Sequence, residues 1–180
     1  MRLRAGRPSG PAVSQPESAE AAYAEAVKRL ARQPQSRAML RQRLLHAGYA
    51  VAAVSSALDR AELHGYLNDR AFADALVRRR TTSRGRGLIA QELRARGIEE
   101  ADAEPALAEV DPDAQLSRAL AVGRGLLGRR EFNDGEALLN FLAPRLARRG
   151  FSSGLAYRVC RTLSTEWDAA HLFDSKKEHN

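Results

Sequence analysis

Apolar residues recur at helical spacing along the chain from Ala21 onward. They return every three or four positions, and no run of alternating β-branched residues indicates a strand. Leucine and alanine fill most apolar positions, whereas valine and isoleucine are sparse, and this choice of residues also favours helices. The pattern therefore predicts an all-α fold.

Three segments of the chain share one spacing around a glycine. Each has an apolar residue eight positions before the glycine, a leucine four positions before it and a bulky residue directly after it. The glycines are Gly48, Gly97 and Gly150, with Leu44, Leu93 and Leu146 before them and Tyr49, Ile98 and Phe151 after them. This spacing is typical of a Schellman cap, in which a left-handed glycine ends a helix and the next residue packs back on the leucine. Three copies predict an internal repeat.

Further helical pattern flanks each glycine. One helical segment precedes each copy, and an i,i+4 apolar pair follows at six and ten positions past the glycine. These pairs are Val54 with Leu58, Ala103 with Leu107, and Ala156 with Cys160. Each repeat is thus predicted as helix, helix, glycine turn and helix, and its about 45 residues are too few to bury their own apolar face. Three tandem three-helix repeats packed side by side predict an elongated, curved array with one face open to a partner.

Capping and helix-breaking residues set the predicted boundaries. Gly85 and Gly87 are predicted to break the helical pattern before Leu88. The predicted caps are Ser36 for the second helix, Asn68 or Asp69 for the fourth, Asp111 before Pro112 for the seventh, and Asn133 with Glu136 for the eighth. The predicted segments are a flexible N-terminal arm at 1–20, repeats at 21–67, 68–110 and 111–163, and a C-terminal tail at 164–180.

The composition favours an anionic partner. Lysine and arginine number 29 against 22 acidic residues, which gives a net charge of +7, and arginine supplies nearly all of the positive charge. Guanidinium groups suit phosphate and carboxylate, although codon usage in a GC-rich genome explains the arginine excess equally well. A single cysteine excludes an intrachain disulfide, and no apolar run approaches the roughly 18 residues of a membrane span. We therefore expect a cytoplasmic protein without a membrane segment.

Residues capable of chemistry show no catalytic pattern. The four histidines lack metal-ligand spacing, and Cys160 occupies an apolar repeat position that is typical of a buried side chain. The G-x-G-x-x-A run at Gly85–Ala90 lacks the preceding strand that a dinucleotide site requires. We therefore expect no catalytic residue, no metal site and no cofactor.

Arginines concentrate in the second repeat. A solvated helix face is the simpler explanation of one charge run, but clustering in the middle of a repeat array, together with the net charge, favours a binding surface. Seven arginines lie within 19 residues, opposed there only by Glu92: Arg78, Arg79, Arg80, Arg84, Arg86, Arg94 and Arg96. Smaller groups on the second helix of the flanking repeats are Arg37, Arg41 and Arg43, and Arg145, Arg148 and Arg149. We predict that these side chains contact a partner.

Several of these stretches resemble the RecX family of regulatory proteins. The most recognisable run is "ELHGYLNDRAFADALVRRR" at Glu62–Arg80, and it is followed by "GRGLIAQELRARGI" at Gly85–Ile98 and "LARRGFS" at Leu146–Ser152. The resemblance covers about residues 21–163. One departure is Pro144, which is predicted to kink the eighth helix or to shift its start.

This resemblance implies a modulator of the RecA recombinase. Members of the family bind RecA nucleoprotein filaments in their helical groove and suppress filament growth, ATP hydrolysis, strand exchange and repressor cleavage. It implies here a monomeric, non-enzymatic inhibitor whose arginines contact the RecA filament or the single- or double-stranded DNA. The alternative is a direct DNA-binding regulator, since helix, glycine turn and helix also describe helix-turn-helix motifs. The third helices are mostly small, apolar or acidic, which is unlike a recognition helix.

Overall fold

The fold is taken from a computed structural model, and the structure describes residues 14–130 and 132–174. Within these ranges the chain forms nine α-helices and no strand. The predicted all-α fold is therefore confirmed. The predicted arm and tail lie partly outside the described residues.

The nine helices follow one another in three groups of three. The first group is α1 (Ala19–Arg32), α2 (Arg37–Ala47) and α3 (Val51–Leu63). The second is α4 (Asp69–Arg80), α5 (Arg86–Ala95) and α6 (Glu100–Ala108). The third is α7 (Pro112–Leu127), α8 (Gly135–Arg148) and α9 (Ser153–Asp174). This order matches the tandem three-helix repeats expected from the glycine spacing.

The three aligned glycines end α2, α5 and α8 in the predicted Schellman geometry. Gly48, Gly97 and Gly150 have φ angles of 104°, 71° and 82°. In each turn the amide after the glycine donates to the carbonyl of the leucine five residues earlier: Tyr49 to Leu44 at 3.2 Å, Ile98 to Leu93 at 3.1 Å and Phe151 to Leu146 at 3.3 Å. All three leucines are fully buried. The spacing of leucine, glycine and bulky residue in the sequence thus correctly predicted the Schellman turn at all three positions.

Some helix ends differ from the prediction. Ser36 caps α2 and Asn68 accepts a bond in the first turn of α4, but α8 is capped by Asp134 rather than Asn133, because this helix begins at Gly135. α5 begins before Gly87, so this glycine lies inside a helix instead of breaking one. α8 also runs through Pro144 without ending there.

The first and last helices extend beyond their predicted limits. α1 begins inside the predicted arm, because Ser18 caps it by accepting the amide of Ala21 at 3.1 Å. α9 continues to Asp174, inside the predicted tail, and Trp167 packs against the same core as Leu163. Leu163 and Trp167 are spaced i,i+4, so the helical pattern in the sequence continues past the predicted limit at 163. The described part of the tail is therefore corrected to helix.

Contacts divide the described residues into two compact units. The first comprises the described residues up to Ala73 together with Leu93–Ala103. Its core lies between the first three helices, where Leu40, Leu58 and their neighbours are almost completely buried. The glycine turn that ends α5 docks here on the start of α2, since a Cβ on Gly97 would lie 2.3 Å from the Ala38 side chain.

The second unit comprises Asp74–Glu92 and the described residues from Glu104 onward. Its core lies between the last three helices, with Leu142 and Val159 fully buried. α9 passes close to the start of α8, where a Cβ on Gly135 would lie 2.4 Å from the Ser164 hydroxyl. Because the helices of the second repeat contribute to both units, the predicted repeat boundaries stay a prediction.

Candidate partner-binding surface

Five of the predicted arginines surround the turn between α4 and α5, within the second unit. Arg78, Arg79 and Arg80 form the last turn of α4, where positive charge interacts favourably with the helix dipole. Arg84 lies in the turn, and Arg86 is the first residue of α5. The sequence therefore concentrates positive charge at the end of α4 and at the start of α5.

Glu92 on α5 organises this turn. One of its carboxylate oxygens accepts a bond from Arg80 at 2.8 Å and the other accepts one from Arg84 at 2.6 Å. The Glu92 side chain is only 13% exposed, so the two charge-assisted bonds form where water competes weakly. Arg80 and Arg84 consequently fix the turn, and both guanidinium groups are engaged by one carboxylate of the same chain.

The backbone of this turn is fixed to the turn between α8 and α9. The Gly85 amide donates to the Arg149 carbonyl at 2.8 Å, and the Gly87 amide donates to the Gly150 carbonyl at 3.1 Å. A Cβ on Gly85 would lie 2.2 Å from the Gly150 oxygen, so only glycine permits this approach. Arg149 is thereby brought next to the arginines of the α4–α5 turn.

Several exposed arginines of the second unit can still bind an anionic partner. Arg78 and Arg79 are exposed, and no acid within the described ranges lies at ion-pair distance from either. Arg86 pairs with Glu104 at 2.6 Å, but both side chains are half-exposed and such a pair contributes little. Arg148 is exposed, and among the described residues its guanidinium donates to the Pro144 carbonyl of its own helix and pairs with no acid. Arg78, Arg79 and Arg148 can therefore meet an anionic partner directly, whereas Arg86 would first exchange its weak pair with Glu104.

Arg37 in the first unit has a structural role. Its guanidinium contacts Asp59 and Glu62 on α3, each at 2.5 Å, and the hydrogen bond to Asp59 is the largest influence that raises the pKa of Arg37. Its amide donates to the Asp69 carboxylate at 2.7 Å. Burial raises the pKa of Asp69, and this hydrogen bond lowers it by a smaller amount. Arg37 therefore joins α2 to α3 and to the start of α4.

Arg96 is also engaged within the first unit. Its carbonyl accepts a bond from the Ser36 hydroxyl at 2.5 Å, its guanidinium approaches the Met39 sulfur at 3.9 Å and it lies 6.0 Å from the Phe72 ring. Arg94 is exposed on α5. Arg41 and Arg43 are exposed on α2, and the described residues provide no acid at ion-pair distance.

The predicted arginines therefore fall into different classes that linear sequence does not separate. Those that are exposed and lack an acidic partner among residues 14–130 and 132–174 are Arg41, Arg43, Arg78, Arg79 and Arg148. The pairing of Arg37 with Asp59, or of Arg80 with Glu92, joins different helices, and composition gives no sign of it.

Sequence reasoning missed an arginine and an aromatic ring in the third repeat. The guanidinium carbons of Arg145 and Arg130 lie 3.6 Å and 5.1 Å from the centre of the Phe141 ring. Arg145 follows Phe141 by one helical turn, which is a detectable i,i+4 signal. Arg130 precedes α8 in a loop, and no spacing rule connects it to this ring.

Comparison with known proteins decides the family. Models of the first and second three-helix domains of RecX match residues 22–60 and 68–107. The regulatory protein RecX of Mycobacterium sp. (strain KMS) is 34% identical over 152 residues, which cover 81% of this chain and 83% of the relative. The chain belongs to the RecX family. RecX of Thermobifida fusca is 35% identical over 161 residues and covers 88% of this chain and 86% of its own.

Solved RecX structures share the fold. A crystal structure of regulatory protein RecX has a TM-score of 0.72 and 24% identity, and it covers 78% of this chain and 72% of its own. RecX from Lactobacillus salivarius has the same TM-score, 22% identity, and coverage of 84% and 97%. The α1–α3 and α4–α6 groups thus correspond to the two RecX domains that the family models describe.

Nothing in the described part of this RecX chain resembles a reactive centre. Burial raises the pKa of the Cys160 thiol, which disfavours the nucleophilic thiolate. No group of three potential metal ligands occurs among residues 14–130 and 132–174. Over the same residues no helix is both long and apolar enough to cross a bilayer.

Replacing Glu92 tests its role in this RecX surface. Glu92→Gln should lower the free energy of unfolding by about 1–2 kcal/mol, because two charge-assisted bonds in a partly buried place become weak ones. Urea denaturation followed by circular dichroism measures the change. Glu104→Gln, which affects one exposed pair, is the control and should change stability by less than about 0.5 kcal/mol. Equal losses in both variants would show that Glu92 does not organise the turn.

Proposed function

We propose that the protein binds RecA nucleoprotein filaments and inhibits RecA, restraining filament growth, ATP hydrolysis, strand exchange and repressor cleavage. Membership in the RecX family, with 34% identity to a regulatory protein RecX over most of the chain, carries this proposal. Its biological setting is the control of recombination, DNA repair and the SOS response. RecA filaments assemble on DNA, so we infer that the protein works in the cytoplasm; a monomeric state is the expectation from the sequence and stays a prediction.

The surface at the end of α4 supports binding through charge. Arg78 and Arg79 project at a helix end that the Gly85 and Gly87 amides fix in place, so little order has to be gained on binding. A filament supplies the missing anions, as acidic side chains of RecA or as phosphates of its DNA. Inhibition then follows from occupancy of the filament and requires neither a cofactor nor a covalent step.

The alternative of a direct DNA-binding regulator gains no support. The third helix of a helix-turn-helix unit has to enter a groove lined by phosphates. Here Asp59 and Glu62 are exposed on α3, and Glu100 and Glu104 are exposed on α6. Asp59 and Glu62 pair with Arg37, and Glu104 pairs with Arg86, so their charge is partly compensated, but carboxylates on these helices still offer no donor to phosphates.

A direct assay of RecA tests the proposal. Purified protein is added to RecA, single-stranded DNA and ATP, and both ATP hydrolysis and strand exchange are followed. We expect both rates to fall as the protein approaches a stoichiometric ratio to RecA, because bound protein hinders filament growth. The same protein unfolded by heat is the control. Unchanged rates at a stoichiometric excess of folded protein would exclude this function.

A further inference from the structure

A run of hydroxyl residues follows α4 and continues its helical path. The Thr81 amide donates to the Val77 carbonyl at 2.9 Å, four residues earlier. The Thr82 hydroxyl donates to the Arg79 carbonyl at 3.2 Å, three residues earlier. Side chains three and four positions apart lie on the same face of a helix, so Thr82 lies one turn beyond Arg78 and Arg79 on their face.

The surroundings of Thr82 are positively charged and not balanced by acids. Thr82 is exposed to solvent, and so are Arg78 and Arg79. Within the described ranges no acid lies at ion-pair distance from either guanidinium, and the Glu92 carboxylate is engaged by other arginines of the turn. An anion attached to the Thr82 oxygen would therefore have two guanidinium groups within reach.

The two neighbouring hydroxyl groups lack this arrangement. Thr81 is only partly exposed, and the buried Val77 occupies one of the two positions a helical turn before it. Ser83 is exposed and follows Arg80 by three positions, but this arginine is bound to the Glu92 carboxylate at 2.8 Å. Two unmatched arginines at helical spacing therefore distinguish the middle hydroxyl of the run.

We propose that Thr82 is the phosphorylation site of an arginine-directed serine/threonine kinase, and that the phosphate switches off the charged surface at the end of α4. The kinase transfers the γ-phosphoryl group of ATP. A bond forms between Thr82 Oγ1 and phosphorus, the bond from phosphorus to the ADP oxygen breaks, and the hydroxyl proton passes to a base of the kinase. Exposed arginines shortly before the acceptor suit the acidic substrate groove of such a kinase.

The kinase reaches the hydroxyl when the end of α4 unwinds locally. Unwinding breaks the bond of Thr81 to Val77 and that of Thr82 to Arg79, both at a helix end, where the chain frays most easily. The chain beyond stays in place, because the Gly85 amide is hydrogen-bonded to the α8–α9 turn. The acceptor can therefore be presented without unfolding the second unit.

The phosphate acts on the same arginines that the proposed function uses. It carries about 1.5 to 2 negative charges at pH 7, which offsets the charge of Arg78 and Arg79 together. Its three oxygens accept hydrogen bonds from both guanidinium groups, which then bind the phosphate instead of the filament. This regulatory step rests on the proposed function, whereas the phosphorylation itself does not.

Labelling tests the acceptor. The purified chain is incubated with radiolabelled ATP and a soluble extract of the cells that produce it, and the labelled residue is mapped by mass spectrometry. Wild type and Ser83→Ala should be labelled at Thr82, and Thr82→Ala should lose the label. Absence of label from wild type, or equal label in Thr82→Ala, would overturn the site.

A charge-matched pair of variants tests recognition by the kinase. Arg78→Gln/Arg79→Gln should be labelled about tenfold more slowly, because the exposed arginines before the acceptor are lost. Arg158→Gln/Arg161→Gln removes the same charge from exposed positions on α9 and should keep the wild-type rate. Equal rates in the two double variants would contradict the role of the arginines.

Nuclear magnetic resonance of phosphorus tests the contact without RecA. A chain carrying phosphothreonine at position 82 is titrated with acid, and the pKa of the phosphate is compared with that of phosphothreonine in an unstructured peptide. Two guanidinium groups favour the dianion, so this pKa should be lower in the protein and should return to the peptide value in Arg78→Gln/Arg79→Gln. The peptide value in the wild-type background would exclude the contact.

Co-sedimentation with RecA filaments on single-stranded DNA tests the regulation. The chain phosphorylated at Thr82 should bind about tenfold more weakly than the unmodified chain. Phosphoserine at Ser117, an exposed position one turn after Asp113, adds the same charge next to an acid and should leave most of the affinity. Equal weakening by the two phosphates would overturn the switch. If the unmodified chain does not bind filaments, the proposed function fails, while labelling and the phosphate pKa still decide the site.

Discussion

Gly150→Ala should destabilise the protein by about 4 kcal/mol, since left-handed strain and a backbone collision act together. Gly150 has a φ angle of 82°, and a Cβ there would lie 2.2 Å from the Leu88 amide nitrogen and 2.4 Å from its Cβ. The same turn accepts the Gly87 amide at 3.1 Å, so a shift of the chain also breaks this hydrogen bond. Urea denaturation followed by circular dichroism measures the loss.

Gly65→Ala is the matched control for that measurement. Gly65 also follows a helix with a positive φ angle of 73°, and Tyr66 donates to the Ala61 carbonyl at 2.9 Å in the same Schellman pattern, but a Cβ there meets nothing within 4 Å. We expect a cost of about 1 kcal/mol from backbone strain alone. If both glycines gave the same loss, docking of the Gly150 turn on α5 would contribute nothing to stability.

Arg78→Glu/Arg79→Glu should weaken binding to RecA filaments by about a hundredfold while leaving the fold intact. Both side chains are exposed and unmatched by acids in the described ranges, so their reversal breaks no internal contact and places negative charge where the partner is anionic. Co-sedimentation with filaments of RecA on single-stranded DNA measures the affinity, and circular dichroism verifies the helicity.

The control for charge is Arg158→Glu/Arg161→Glu, which changes the net charge equally at exposed positions on α9. This variant should retain most of the filament affinity. Arg80 and Arg84 are unsuitable for the same test, because glutamate at either position would face Glu92 and disturb the turn itself. Equal weakening in the two double variants would mean that net charge, and not the end of α4, governs binding.

The repeat architecture could be predicted from the sequence because its signals are local. A left-handed glycine, a leucine four residues before it and a bulky residue after it all lie within one turn, and each of the three predicted turns has that geometry. Helix ends were less predictable. Asn133 and Asp134 are both good caps, and residue preference alone does not choose Asp134, which caps α8 in the structure. The longer α9 was predictable, because Trp167 follows Leu163 at i,i+4 spacing and packs against the same core.

The candidate surface was predictable in outline and not in detail. Clustering locates positive charge near the α4–α5 turn, but it cannot show that Arg80 and Arg84 are matched by one partly buried carboxylate. Whether Arg80 and Arg84 reach Glu92 depends on the path of the chain between α4 and α5. Backbone hydrogen bonds to Arg149 and Gly150, more than sixty positions along the chain, fix that path. The pairing of Arg130 with Phe141 depends on a loop path that no periodicity encodes.

The close approach of Ser164 to Gly135 limits how the repeat series can grow. The glycine turns of the second and third repeats each dock on the start of a preceding second helix, at Ala38 of α2 and at Gly85 and Leu88 of α5. The equivalent position on α8 is covered by α9. We therefore expect that a duplicated repeat placed after the third would find the equivalent docking position on α8 already occupied by Ser164 of α9.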